Sequence, residues 1–209
     1  MEGITKEKNQ LFGFDTFDVL EKGEKAPKGY KRIPGFYVFD VKHDLRRKVR
    51  FVSGGHMSIA SKEDSYSGVV DHENVRITLF LAEHNDLEVM AADIRNAYLH
   101  ARTKEKVYIV AGPEFGPDLQ GRVMLVLKSL TTSAARWHEE LSNILRGMGL
   151  KPTKAFHDLW MKDCGTNYEY LYTWVDDIVV ASKNAMAILN EFKVKARYTL
   201  KGVGEPSYY

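Results

Sequence analysis

The sequence predicts an α+β fold, and three patterns predict it. Runs of aromatic and β-branched residues form two hairpin-like pairs, at 36–53 and 168–182. A buried-strand pattern, Leu87 to Asp93, ends on an aspartate. Two stretches with a single apolar stripe, beginning near Ser133 and Ala185, read as amphipathic helices.

In chain order, 21–35 (EKGEKAPKGYKRIPG) is rich in Gly, Pro and Lys and reads as loop. FYVFDV (36–41) and VRFVS (49–53) read as strands joined by a turn at 42–47. Residues 54–71 are polar and contain glycine, hence loop. From Asn74 to about Glu83, Val75, Leu79 and Ala82 recur at helical spacing. KVYIVA (106–111) and RVMLVLK (122–128) are further strands across a turn-rich connection. In the helix near Ser133, Ala134, Trp137, Leu141, Ile144, Leu145 and Met148 share a stripe, and Gly147, Gly149 and Pro152 stop it. YEYLYTWV (168–175) and IVVAS (178–182) flank Asp176-Asp177 as a hairpin with an acidic turn. A last helix covers about 185–196, and LKGVGEPSYY is a loop that enters a further strand. The first ~15 residues are expected to be a flexible lead.

The 209 residues are 44% apolar and 11% aromatic, enough for a sizeable core and unlike a disordered chain. No apolar run approaches the ~20 residues that span a bilayer. MEGITKEKNQ lacks a signal-peptide pattern. One cysteine, Cys164, excludes an internal disulfide and a cysteine-cluster metal site. The expectation is an intracellular protein, neither secreted nor membrane-bound. Net charge is only +2, but Lys42, Arg46, Arg47, Lys48 and Arg50 cluster. That cluster reads either as a phosphate contact or as a solvated turn.

Two places carry chemistry. One is Asp93 at the end of its strand; the other is Asp176-Asp177 between apolar strands. Aspartate is a poor strand residue, and neighbouring carboxylates in apolar surroundings raise each other's pKa or weaken the fold. A divalent cation removes that conflict, and oxygen-only ligands favour Mg²⁺ or Mn²⁺. Taken alone, Asp-Asp is also what an ordinary turn selects.

In the same order along nearly all of the chain, further motifs occur. The sequence resembles the reverse transcriptase domain of copia-type retrotransposon polyproteins. Trp174-Val175-Asp176-Asp177 resembles the family's Tyr-Val-Asp-Asp, and Asp93-Ile94-Arg95-Asn96-Ala97-Tyr98 its Asp-Val-Lys-Thr-Ala-Phe. Residues 36–55, 64–82 and 198–209, and Lys128-Ser129-Leu130 with Arg136-Trp137, resemble its remaining segments.

The resemblance implies a polymerase right-hand fold, with an antiparallel palm sheet backed by helices and a fingers subdomain. Residues 1–209 would form one unit: about 1–85 and 106–135 fingers, about 86–105 and 136–209 palm. A thumb and an RNase H segment of a larger polyprotein are expected to be absent. Asp93, Asp176 and Asp177 are the implied catalytic residues and ligands of two Mg²⁺ (or Mn²⁺) ions. Lys48, Arg50, Ile94 and Tyr98 are the implied dNTP-site residues, the Ile94 carbonyl being expected to face a metal ion. Tyr98 would exclude a ribose 2′-hydroxyl; ordinary core packing is its alternative. Trp174 and Val175 would meet the primer end. Implied partners are an RNA/DNA template-primer and dNTPs, in a cytoplasmic virus-like particle or the nucleus.

Three departures stand out. Trp174 replaces tyrosine, the 50–55 segment lacks the second lysine of the family pattern, and about three residues are missing after Leu130. A shortened turn there shifts the helix carrying Trp137, and a ~1 Å misplacement near such chemistry costs ~100-fold in rate. The expected function is RNA-directed DNA synthesis by two-metal nucleotidyl transfer, weak or non-processive without a thumb. The second reading is a remnant that keeps the fold and binds nucleic acid without catalysis. The gap favours the second reading; the three aspartates favour the first.

Overall fold

The computed structural model describes residues 2–41, 45, 47–53, 72–128 and 133–206. The expected turn at 42–47 lies largely outside them, and the 54–71 loop and the shortened turn after Leu130 lie wholly outside. The chain divides into two compact units, Met1–Ser65 with Tyr98–Arg136, and Tyr66–Ala97 with Trp137–Tyr209.

The first unit begins with a helix, α1 (Glu2–Gly13), where a flexible lead was expected. Its apolar residues are too sparse to form a clear stripe, and only Leu11 is buried. The helix is anchored by tertiary contacts instead. Glu7 accepts a hydrogen bond from the Phe51 N–H at 3.1 Å, and the Lys8 ammonium donates to the Phe115 carbonyl at 3.3 Å. Four strands make one sheet in the order β1-β7-β6-β2: β1 (Phe17–Val19), β2 (Lys31–Arg32), β6 (Val107–Val110) and β7 (Val123–Val126). The pairs β1–β7 and β6–β7 are antiparallel, whereas β2 runs parallel to β6. Alternation along β6 buries Val107 and Ile109, as a period of two requires.

The expected hairpin in this unit is β3 (Gly35–Val41) paired with β4 (Arg47–Ser53). Phe51 of β4 is the centre of an aromatic cluster, with Phe17, Tyr37 and Phe115 at 5.9, 5.1 and 5.4 Å between ring centroids. Edge-to-face contacts of this kind add stabilisation beyond area burial. Gly35 is required beneath that ring, because a Cβ there would run into Phe51. Leu11, Ile33, Leu99, Met124 and Val126 complete this core.

The second unit is a six-stranded sheet ordered β12-β5-β11-β10-β9-β8. Its strands are β5 (Glu88–Ile94), β8 (Lys151–Pro152), β9 (Leu159–Asp163), β10 (Tyr168–Trp174), β11 (Asp177–Ser182) and β12 (Leu200–Gly204). All of its pairings are antiparallel. Three helices accompany it: α2 (His72–His84), α3 (Ser133–Gly147) and α4 (Ala185–Ala196). These match the expected helices, with α2 longer at both ends.

The central strand β11 explains why this sheet carries helices. Ile178, Val179, Val180 and Ala181 are all fully buried, so both faces of the strand are covered. Val179 and Ala181 pack with Val75 and Ala82 of α2 and with Ala91 and Leu87. The alternating residues Ile178 and Val180 therefore point to the opposite face. Helix α4, which packs on β5 and β11, starts with Asn184, whose side chain accepts from the Ala187 N–H at 3.0 Å. On α3, Trp137, Leu141 and Leu145 are buried at the expected helical spacing, and Met148, just past the end of the helix, is buried as well.

Candidate active site

The three aspartates lie in the second unit, on the middle strands of its sheet. β5 and β11 pair so that Asp93 and Asp177 are direct partners in the register. The register runs on through Ile178 with Ala92 and Val179 with Ala91, so apolar packing on both faces fixes it. A slip of one residue would turn Val179 and Ala181 away from α2. Burying the hydrophobic pattern is thus what brings two carboxylates face to face.

The hairpin turn is one residue earlier than expected. The sequence reading put Asp176 and Asp177 together in the turn; in the structure Trp174 and Asp177 close the ladder and Val175-Asp176 form the loop. The physical reason is the β5–β11 register, which claims Asp177 for the strand. Val175 has φ 57°, in the left-handed region that a β-branched residue avoids. Both loop carbonyls are held. The Val175 carbonyl accepts from the Trp137 indole N–H at 2.5 Å, and the Asp176 carbonyl accepts from the Ile94 N–H at 2.6 Å.

The electrostatics follow from this crowding. The Asp177 carboxyl is pushed up from its ordinary value, first by burial and then by Asp176 and Asp93. On the other side of β5, β12 places Lys201 opposite Asp93, and its ammonium lies 3.3 Å from the Asp93 carboxylate. A cation already sits beside the acidic cluster. Lys201 was not singled out in the sequence, because only the non-local β12–β5 pairing brings it there.

Among the described residues, no three His, Cys, Asp or Glu side chains converge into a ready cage for a metal ion. The donor set nevertheless fits a hard divalent cation. It is oxygen-only, two of its members are register partners, and ionising Asp177 carries a cost that a cation would remove.

The other sequence-predicted residues are placed as follows. Ile94 is fully buried next to Asp93. Trp174 is 41% exposed at the end of β10, and Val175 is half-buried in the loop. Tyr98, Lys48 and Arg50 belong to the first unit. Tyr98 is 36% exposed. Lys48 and Arg50 lie on β4, paired with Asp40 and Val38, and Arg50 is exposed. No described helix is long and apolar enough to cross a membrane.

A family model described as reverse transcriptase (RNA-dependent DNA polymerase) matches residues 14–209. The chain is 30% identical over 213 residues to the Transposon Ty1-GR1 Gag-Pol polyprotein of Saccharomyces cerevisiae, covering 98% of this chain and 12% of that protein. The Transposon TyH3 Gag-Pol polyprotein of the same organism matches at the same identity and the same coverage. The Transposon Ty1-DR4 Gag-Pol polyprotein is also 30% identical, with 13% of it covered. The chain thus spans about an eighth of the length of these curated relatives.

Proposed function

The chain belongs to the reverse transcriptase (RNA-dependent DNA polymerase) family, in its copia-type branch, and from that premise we propose that it performs template-directed DNA synthesis. The observation that carries the proposal is the register pairing of Asp93 with Asp177, with Asp176 in the adjoining loop. Asp93, Asp176 and Asp177 hold the divalent cations, Mg²⁺ or Mn²⁺, and are the catalytic residues. Bound there, two such ions supply activation of the attacking hydroxyl and stabilisation of the leaving group.

The reaction is nucleotidyl transfer. The primer 3′-oxygen bonds to the α-phosphorus of a dNTP, the bond to the β-phosphate oxygen breaks, and pyrophosphate leaves. Lys48 and Arg50 serve the triphosphate; the guanidinium fork suits paired phosphate oxygens. Tyr98 serves sugar selection, since a ring beneath the sugar leaves room for hydrogen but not for a hydroxyl. The Ile94 backbone contributes beside Asp93, and Trp174 and Val175 meet the primer end.

In this proposal the unit carrying β5, β10 and β11 is the palm, and the unit carrying β3 and β4 is the fingers. The partners are an RNA or DNA template-primer and dNTPs, and the setting is the intracellular life of a polyprotein-encoded element, in a particle or in the nucleus. The test is Mg²⁺- or Mn²⁺-dependent addition of dTMP to oligo(dT) on poly(rA), comparing the native chain with Asp176→Asn. Loss of addition in the variant, which keeps shape and removes charge, supports the proposal. Equal addition by both, or addition by neither, refutes it.

A further inference from the structure

The loop Val175-Asp176 combines two features that are at odds. It is a two-residue hairpin loop, where φ > 0 positions favour Gly, Asn or Asp. Yet the residue at φ 57° is valine, whose branched Cβ opposes that conformation. Some contact outside the loop must hold the backbone there. The Ile94 N–H secures the Asp176 carbonyl, on the strand side. The Val175 carbonyl has a different partner, the Trp137 indole N–H, at 2.5 Å.

Trp137 is built to hold that bond. It is 1% exposed, and its ring packs on Tyr198 at 5.6 Å between centroids. Tyr198 in turn packs edge-on against Phe192 of α4 at 6.1 Å. One helical turn on, Leu141 and then Leu145 bury the same stripe of α3 and fix its rotation. The donor is therefore fixed by a packed core, while its acceptor is the strained residue directly preceding Asp176.

We propose that Trp137 is a positioning residue for the acidic hairpin, its indole N–H holding Val175 in the left-handed conformation that sets Asp176 and Asp177 against Asp93. The proposal rests on the reading of those carboxylates as a divalent-cation site. Without the bond, Val175 relaxes to negative φ, the Val175-Asp176 peptide turns, and the carboxylates lose their alignment. A glycine at 175 has no Cβ to resist φ 57° and does not need the indole.

The experiment is Mn²⁺ binding, measured by electron paramagnetic resonance of the free ion. It compares the native chain, Trp137→Phe, Val175→Gly and the double variant Trp137→Phe/Val175→Gly. Phenylalanine keeps an aromatic ring at this position and removes the N–H donor, together with part of the ring volume; the Val175→Gly arm separates the two losses. The expected result is about 10-fold or more weaker Mn²⁺ binding by Trp137→Phe, the scale on which groups that orient metal ligands act. Adding Val175→Gly to it is expected to recover most of the loss.

Binding by Trp137→Phe equal to the native chain overturns the proposal. So does a loss that Val175→Gly does not rescue, because a merely structural role of Trp137 would not respond to residue 175. A native chain that binds no Mn²⁺ overturns the cation site itself and this inference with it, a distinct outcome. The native chain supplies a readout that needs no substitution. The Trp137 indole N–H resonance is expected downfield and to move when Mg²⁺ is added; a resonance indifferent to Mg²⁺ overturns the proposal.

Discussion

Asp93 and Asp177 face each other across two hydrogen-bonded antiparallel strands, beside the buried Ala91, Ala92 and Ile94 on one and Ile178, Val179 and Val180 on the other. Like charges directly opposite on a sheet are destabilising. The apolar register that enforces the pairing therefore works against local electrostatics, and the site is where the two meet.

The first prediction concerns pH. Asp177 is raised in the folded state, so the native protein holds its proton to higher pH than the unfolded chain does. The sign follows from linkage: between the ordinary aspartate value and the raised one, the folded state binds more protons, so stability falls as pH rises. Asp177→Asn removes that penalty. Its melting temperature is expected to exceed that of the native chain at pH 7, and the gap to close as pH falls toward the usual carboxylate range. Thermal unfolding followed by circular dichroism at several pH values checks it.

Lys201 is expected to compete with added metal for Asp93. Its pair with Asp93 is half-exposed, so Lys201→Gln should cost stability only about 0–1 kcal/mol. The same variant is expected to bind Mn²⁺ no more weakly, and by a few-fold more tightly, than the native chain. Isothermal titration with Mn²⁺ at constant ionic strength measures it, and weaker binding would show that Lys201 organises the site instead of guarding it.

Much of this architecture was legible in the sequence, and the reasons differ by element. The β3–β4 and β10–β11 hairpins announce themselves because aromatic and β-branched runs flank turn residues at short range. Helices α3 and α4 are legible because each buries one stripe. By contrast, α1 carries a weak stripe and is held by Glu7 and Lys8 reaching distant backbone atoms. The short strands β1 and β2 depend on partners far along the chain and leave little local pattern. At the site, the identities of the aspartates were legible, but the position of the turn was not. It took the β5–β11 register to move Asp177 into the strand, and the β12–β5 pairing to bring Lys201 to Asp93.

Tyr98 is expected to select the sugar. Replacing it with alanine should lower discrimination against ribonucleotides by roughly 10-fold or more, the range over which a small steric difference in a pocket acts. Single-nucleotide incorporation of dTTP against UTP on the same primer reads the ratio. An unchanged ratio would return Tyr98 to a structural role.

Gly35 offers a test of the first unit that is independent of catalysis. A Cβ at this position meets the Phe51 ring, which is itself locked among Phe17, Tyr37 and Phe115. Gly35→Ala is expected to destabilise by about 1–3 kcal/mol, as overpacking does. The paired change Gly35→Ala with Phe51→Leu should recover part of it. Denaturant unfolding measures both.

The central claim, that the opposed carboxylates hold a divalent cation, is tested most directly by anomalous diffraction from Mn²⁺-soaked crystals. The account predicts a Mn²⁺ peak about 2 Å from carboxylate oxygens of Asp93 and of Asp176 or Asp177, a distance typical of a small hard cation with oxygen ligands. It also predicts that Lys201 swings off Asp93. Saturating Mn²⁺ with no peak at these carboxylates, or with Lys201 still paired to Asp93, would contradict it.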